Sequence, residues 1–160
     1  MNAHDVIRNS LESARQIAQG YLEDLTEAEL LVRPTPEANH IAWQLGHLIE
    51  AEHDLVNAAC PGAMPALPDG FKEKYTPETA KLDDPNAFHS KAEYLKLWSD
   101  QRAATLAALD SLSDADLDKP SPVQFAKTIG ALFNMQGLHP LMHVGQWAVV
   151  RRKLGRKPLF

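Results

Sequence analysis

The chain has 160 residues with a formal net charge of −5, and 44% of its residues are hydrophobic and 23% charged. This length suits one domain, residues 1–160, and the composition is that of an ordinary soluble globular protein. The negative charge argues against a general nucleic-acid binder, whose affinity would depend on neutralising phosphates. The chain contains no apolar run that approaches the roughly 18 residues that a membrane helix needs.

Two further features indicate the compartment. The N-terminal residues have neither the basic start nor the apolar stretch of a signal peptide. The single cysteine, Cys60, excludes an internal disulfide and is typical of a reducing environment. We therefore expect a cytoplasmic protein.

The first part of the chain carries two helical patterns. Apolar residues at three- and four-residue spacings predict a helix from about residue 2 to 24. They are Ile7, Leu11, Ala14, Ala18, Tyr21 and Leu25. Thr26 and Glu29 have capping-box spacing, which predicts a short turn up to Arg33. A second helix is predicted from an N-cap at Asn39 to about Ala59, where proline and glycine follow.

Residues 61–88 form a long connection with five prolines and little periodicity. Phe71, Tyr75 and Leu82 make it too apolar for a free linker. We expect an ordered crossover between the second and third helices.

The second half of the chain contains two more long helices. Ser90 and Glu93 form a capping box that opens a helix to about Leu112. One of its faces is apolar except for Arg102: Leu95, Trp98, Arg102, Leu106 and Leu109. A short capped turn is predicted at 113–116, and a last helix from about 128 to 154, with Gly155 as its cap. Four long helices, one long connection and no convincing strand pattern predict an all-α four-helix bundle.

His139 and His143 lie four residues apart on the last helix, so their imidazoles share a face and can reach one ion. Neutral imidazole is a common ligand of zinc, nickel, copper and iron. The surrounding residues are largely apolar, which predicts a buried segment: Leu132, Met135, Leu138, Met142, Trp147 and Val150. A buried histidine needs partners for both ring nitrogens, and a metal would satisfy two histidines at once.

A third ligand should come from a facing helix. His47 lies near the middle of the largely apolar stretch 43–49, and Gly46 beside it would allow a backbone or a ligand to approach closely. On its own, His47 could equally be a core histidine bonded to a backbone carbonyl. We predict that His47, His139 and His143 bind one divalent metal ion.

The other histidines, His4, His40, His53 and His89, are interpreted as structural or exposed. His53 stands between Glu52 and Asp54, on a face that we expect to be solvated.

Pro140 stands where a zincin motif would place its glutamate base, so the pair is not of that type. The proline removes one backbone hydrogen bond and should kink the helix at the level of the metal.

These motifs together resemble the DinB-like (YfiT-type) superfamily. The resemblance rests on His47 within residues 42–48, on His139 and His143 leading into Gly145-Gln146, and on the ending 151–155. It spans nearly the whole chain. It implies a four-helix bundle in which three histidines hold a divalent metal, usually zinc or nickel, with open positions for water. It also implies a place among metal-dependent S-transferases of low-molecular-weight thiols such as bacillithiol, mycothiol or glutathione, or among thiol-dependent isomerases, with homodimers common.

The leading hypothesis is therefore a thiol S-transferase acting on a small-molecule substrate, in which the metal activates a thiol or water. Glu50, one helical turn from His47, is the candidate base, and His40, Trp43 and Gln146 are candidates for the pocket lining. A metal-dependent hydrolase and a non-catalytic bundle, in which the ion joins the second and fourth long helices, remain as alternatives. The basic residues of 151–157 complement a helix dipole and do not indicate a nucleic-acid or membrane partner.

Overall fold

The computed structural model describes residues 1–157 and 159, and it confirms the all-α four-helix bundle. Its α-helices are α1 (Ala3–Leu22), α2 (Ile41–Ala59), α3 (Lys91–Ser111), the short α4 (Asp114–Leu117) and α5 (Ile129–Lys153). The described residues form no strand, only an isolated antiparallel bridge between Pro120 and Thr128. Helix α5 contacts α1 most extensively and also packs against α2, while α2 packs against α3. The bundle therefore places α2 beside α5, the two helices that carry the predicted ligands.

Local capping sets most of the helix boundaries. The Ser90 and Glu93 box opens α3, and Gly155, at φ +72°, ends α5 as predicted. Helix α2 begins one residue later than expected, because His40 rather than Asn39 is its N-cap: the backbone N–H of Trp43 donates to His40 Nδ1 at 3.1 Å.

The crossover is ordered, with 3₁₀ turns at Lys72–Lys74, Thr79–Lys81 and Pro85–Ala87. Phe71 and Tyr75 are buried, whereas Leu82 is 43% exposed and contributes its backbone carbonyl, which accepts a hydrogen bond from His40. The Tyr75 ring lies directly on Gly46, where an added Cβ would come within 2.0 Å of Tyr75 Cε1. The close approach expected at Gly46 is thus used by an aromatic ring of the crossover.

Only part of α5 is buried. Leu132, Trp147 and Val150 are fully buried, but Leu138 and Met142 are 45% and 68% exposed. The prediction of a substantially buried segment is therefore wrong for the face that carries these two residues. None of the described helices is long and apolar enough to cross a membrane.

A buried ion pair and the hydrogen bonds of its arginine connect the four long helices. Glu52 is 2% exposed, so the expectation of a solvated face is wrong for this residue, and its Oε1 lies 2.8 Å from Arg102 Nε. The Arg102 guanidinium also donates to the backbone carbonyls of Leu11 and Gln136, each at 2.8 Å. One side chain of α3 is therefore bonded to α1, α2 and α5 at once.

Candidate metal centre

His47 from α2 and His139 and His143 from α5 converge, as the sequence predicts. One ligand atom of each lies within 4.8 Å of the other two. The Nε2 atoms of His139 and His143 are 3.2 Å apart, and the His47 ring centroid lies 5.1 Å and 5.5 Å from theirs. All three side chains are half-buried, so the cluster is held by the protein and still reached by solvent.

The orientation of His47 is fixed by Trp43, one turn earlier on α2. The two rings stack with centroids 5.2 Å apart and planes 9° from parallel. The Trp43 indole N–H in turn donates to the Thr76 carbonyl at 3.1 Å, so the crossover holds the tryptophan. Because the stacking leaves the ring edge free, both nitrogens of His47 remain outside this contact.

His143 is oriented by a side chain of α2 that the sequence reading did not single out. Its Nδ1 lies 3.1 Å from Oε1 of the buried Gln44. The same oxygen accepts a hydrogen bond from the Trp147 indole at 2.7 Å. Gln44 precedes His47 by three residues, which places it on a neighbouring face of α2. That spacing was visible in the sequence, but the partners from α5 were not.

The environment keeps the three imidazoles uncharged. Burial, reinforced by the neighbouring histidine charges, lowers the pKa of His139 and of His143 to about 4. Burial also lowers the pKa of His47. At neutral pH each ring is therefore uncharged and has one nitrogen with a lone pair, which is the protonation state that a metal requires of its ligands.

This donor set fits a divalent transition metal. Two nitrogens that each lie about 2.1 Å from one ion are about 3.0 Å apart at a right angle and about 3.4 Å apart at a tetrahedral angle. The 3.2 Å between the two Nε2 atoms falls between these values. Within the described residues no carboxylate or thiol joins the group, so three neutral ligands would leave the ion its full charge and open positions.

The predicted pocket residues have different positions. Trp43 stacks on a ligand, as described above. Gln146 lines a surface groove of about 530 Å³ and accepts a hydrogen bond from Gln44 at 2.9 Å. The groove is lined by Pro34, Thr35, Glu37, Ala38, Asn39, Met142, Gly145, Gln146 and Val149. His40 is fully buried, and its second nitrogen donates to the Leu82 carbonyl at 3.0 Å, so neither nitrogen is free for a ligand.

Glu50, the candidate base, is half-buried on α2. Burial and then the nearby Asp54 raise the pKa of its carboxyl, so this group binds a proton more readily than an exposed glutamate. Its carboxylate is not one of the ligand atoms that converge with the histidines.

Comparison with models of known protein families identifies the family of the chain. The sequence profile of the DinB superfamily matches residues 10–147, a stretch that contains all three histidines. The chain belongs to the DinB superfamily. No curated protein matches it at a significant level.

The fold of this DinB protein is also found among solved structures. It is similar to YfiT from Bacillus subtilis, which is described as a probable metal-dependent hydrolase with an unusual four-helix bundle topology. The two share 16% sequence identity and superpose with a TM-score of 0.68 over 96% of this chain and 89% of YfiT. At this identity the likeness establishes the fold.

Proposed function

We propose that this DinB protein is a metal-dependent enzyme, a low-molecular-weight-thiol S-transferase in which His47, His139 and His143 hold a zinc or nickel ion. The observation that carries the proposal is the convergence of three uncharged imidazoles from two helices, with their ligand atoms within 4.8 Å of one another. A bound divalent ion supplies Lewis-acid chemistry that lowers the pKa of a coordinated thiol or water.

The surroundings of the histidines support a thiol as the co-substrate. The donor set contains no carboxylate, so nothing within the cluster neutralises a dication or repels an incoming anion. Imidazole ligands also suit zinc and nickel, which accept sulfur. The groove lined by Gln146 has mixed polar and apolar walls, with Asn39 and Gln146 beside Met142 and Val149. It offers a small molecule both hydrogen-bonding and apolar contacts.

A metal-dependent hydrolase is the second candidate, and Glu50 favours it. Hydrolysis needs a group that removes a proton from water, and the raised pKa of this carboxyl brings it nearer to the range of an effective base. In this alternative Glu50 accepts the proton while the histidines hold the metal. A non-catalytic bundle, in which the ion only joins α2 and α5, is the third reading.

Turnover assays separate the three. Metal-free protein is reloaded with zinc or nickel and assayed with bimane- and dinitrobenzene-type electrophiles, each with glutathione, bacillithiol, mycothiol and cysteine. We expect metal-dependent S-conjugation with at least one thiol, abolished by His143→Ala and retained by His53→Ala, a histidine outside the cluster. Metal-dependent ester cleavage without a thiol would identify a hydrolase, and a loaded protein inactive in both assays would be a binding bundle.

Metal content tests the underlying site. Elemental analysis of the wild type beside His143→Ala should show about one ion per chain in the first and a marked loss in the second. Equal content in both proteins would overturn the three-histidine assignment. The small-molecule substrate, the homodimer and the cytoplasmic location stay predictions.

A further inference from the structure

Gln44 is almost completely buried, at 1% exposure, and every hydrogen-bonding group of its amide is occupied. Its Oε1 faces Trp147 Nε1 at 2.7 Å and His143 Nδ1 at 3.1 Å. Its Nε2 donates to the Asn39 carbonyl at 2.5 Å and to Gln146 Oε1 at 2.9 Å. A buried amide satisfied on all sides has no freedom to turn.

Two of these partners determine which end of the amide is oxygen. An indole N–H can only donate, so the atom facing Trp147 must be an acceptor. A backbone carbonyl can only accept, so the atom facing Asn39 must be a donor. The indole of Trp147 and the carbonyl of Asn39 therefore require the same orientation of the amide, with Oε1 toward Trp147.

This orientation determines the tautomer of His143. Since its Nδ1 faces an oxygen that only accepts, Nδ1 must carry the hydrogen, and the neutral ring then has its lone pair on Nε2. Nε2 is the atom that lies 3.2 Å from His139 Nε2, inside the histidine cluster.

We propose that Gln44 is a positioning residue that holds His143 in the Nδ1–H tautomer, so that its Nε2 lone pair is directed at the metal before any metal arrives. The proposal rests on the metal site of the proposed function. It assigns His139 the complementary state in the metal-free protein: with a lone pair on His143 Nε2, the 3.2 Å contact is a hydrogen bond donated by His139 Nε2–H. Coordination through Nε2 of His139 would require this hydrogen to move to Nδ1, whereas coordination through Nε2 of His143 would require no change.

The test is nitrogen NMR of the metal-free protein labelled with ¹⁵N-histidine, at a pH near 7.5 where the rings are neutral. The two tautomers of imidazole give distinct ring-nitrogen shifts, and single histidine variants supply the assignments. We expect Nδ1–H for His143 and Nε2–H for His139. A wild-type His143 in the Nε2–H form would overturn the proposal, whatever the protein binds.

Three variants test whether Gln44 is the cause. Gln44→Met removes the acceptor at similar volume, and we expect His143 to lose its single tautomer and zinc affinity to fall 10- to 100-fold. Gln44→Glu keeps an acceptor toward His143 and should retain the Nδ1–H form, although it loses the hydrogen bonds that Nε2 donates to Asn39 and Gln146 and should be less stable. Gln101→Met, which removes a buried amide of α3 outside the cluster, is the matched control and should change neither measurement.

The outcomes separate this proposal from the proposed function. A single Nδ1–H tautomer that depends on Gln44, in a protein that binds no metal, would support the role of Gln44 and overturn the enzyme. A His143 tautomer that is unchanged in Gln44→Met would overturn the role of Gln44 while leaving the metal site intact. Should Gln44→Met fail to fold, the wild-type and Gln44→Glu spectra still decide the tautomer.

Discussion

Arg102 of α3 donates a hydrogen bond through Nη2 to the backbone carbonyl of Gln136 on α5, at 2.8 Å. In an uninterrupted helix this carbonyl would accept from the N–H of residue 140, four positions later. Residue 140 is proline and has no N–H, yet α5 continues through it. The buried guanidinium therefore supplies the donor that the proline removes, on the helix that carries His139 and His143.

Removing the guanidinium should strongly destabilise the bundle. In Arg102→Met the Glu52 carboxylate would lose its buried cation and the Gln136 carbonyl its donor. We expect the free energy of unfolding to fall by about 3–5 kcal/mol, measured by urea denaturation. The double variant Glu52→Gln/Arg102→Met, which leaves no buried charge unpaired, should recover part of this loss. A single-variant effect below about 1 kcal/mol would contradict the role given to the ion pair.

Pro140→Ala tests the link between the proline and the arginine. The alanine restores an N–H that can reach the Gln136 carbonyl, so the loss of Arg102 should matter less in its presence. A double-mutant cycle of Pro140→Ala and Arg102→Met should give a favourable coupling of about 1 kcal/mol, the value of one hydrogen bond. Additive effects of the two changes would show that they act independently.

Alanine substitutions at two glycines of α5 should change the stability of the protein in opposite directions. A Cβ at Gly137 would lie 2.3 Å from Ser10 Oγ and 2.9 Å from the Ser10 carbonyl oxygen, so α1 would have to move. We expect Gly137→Ala to destabilise by about 1–3 kcal/mol. Gly145 has no atom within 4 Å of an added Cβ, and Gly145→Ala should stabilise the helix by up to about 1 kcal/mol. Thermal unfolding of both variants compares them; equal shifts would refute the close contact of α1 and α5.

Acid should lower the free energy of unfolding of the metal-free protein, because the histidines of the cluster take up protons on unfolding. The pKa values of His139 and His143 are about 4 in the folded chain, whereas an unfolded histidine titrates near 6.5. Below pH 6.5 the unfolded chain binds more protons at these positions, so stability should be constant above this pH and decline from 6.5 to 4.

This decline can be measured as a fall in the midpoint of urea unfolding at pH 7.5, 6 and 5, with a chelator present to keep the protein metal-free. The double variant His139→Asn/His143→Asn cannot take up these protons and should lose less stability over the same range. An equal decline in both proteins would assign the effect to other groups.

The sequence predicted what local chemistry determines. Capping residues such as Ser90 and Gly155 gave helix ends to within a residue or two, and four-residue spacing placed His139 and His143 on one face. The outward face of α5 was mispredicted at Leu138 and Met142, because a helix that is apolar all round does not reveal which side faces the core.

The supports of the cluster could not be predicted, because they depend on distant contacts. Gln44 contacts His143, which lies 99 residues later in the sequence, and Arg102 donates a hydrogen bond to Leu11, which lies 91 residues earlier. Nothing in the local sequence around a buried glutamine or arginine specifies such a partner. The metal-binding roles of the three histidines themselves stay predictions until an ion is measured.

The division of the cluster between α2 and α5 has a consequence for biosynthesis. His47 precedes His139 by 92 residues (139 − 47), so a ribosome working at about 5–20 residues per second produces it roughly 5–18 s earlier. Until α5 emerges and docks, the nascent chain offers a single imidazole at this place and competes poorly for a metal. The ion would therefore be acquired late, by a bundle that has already assembled.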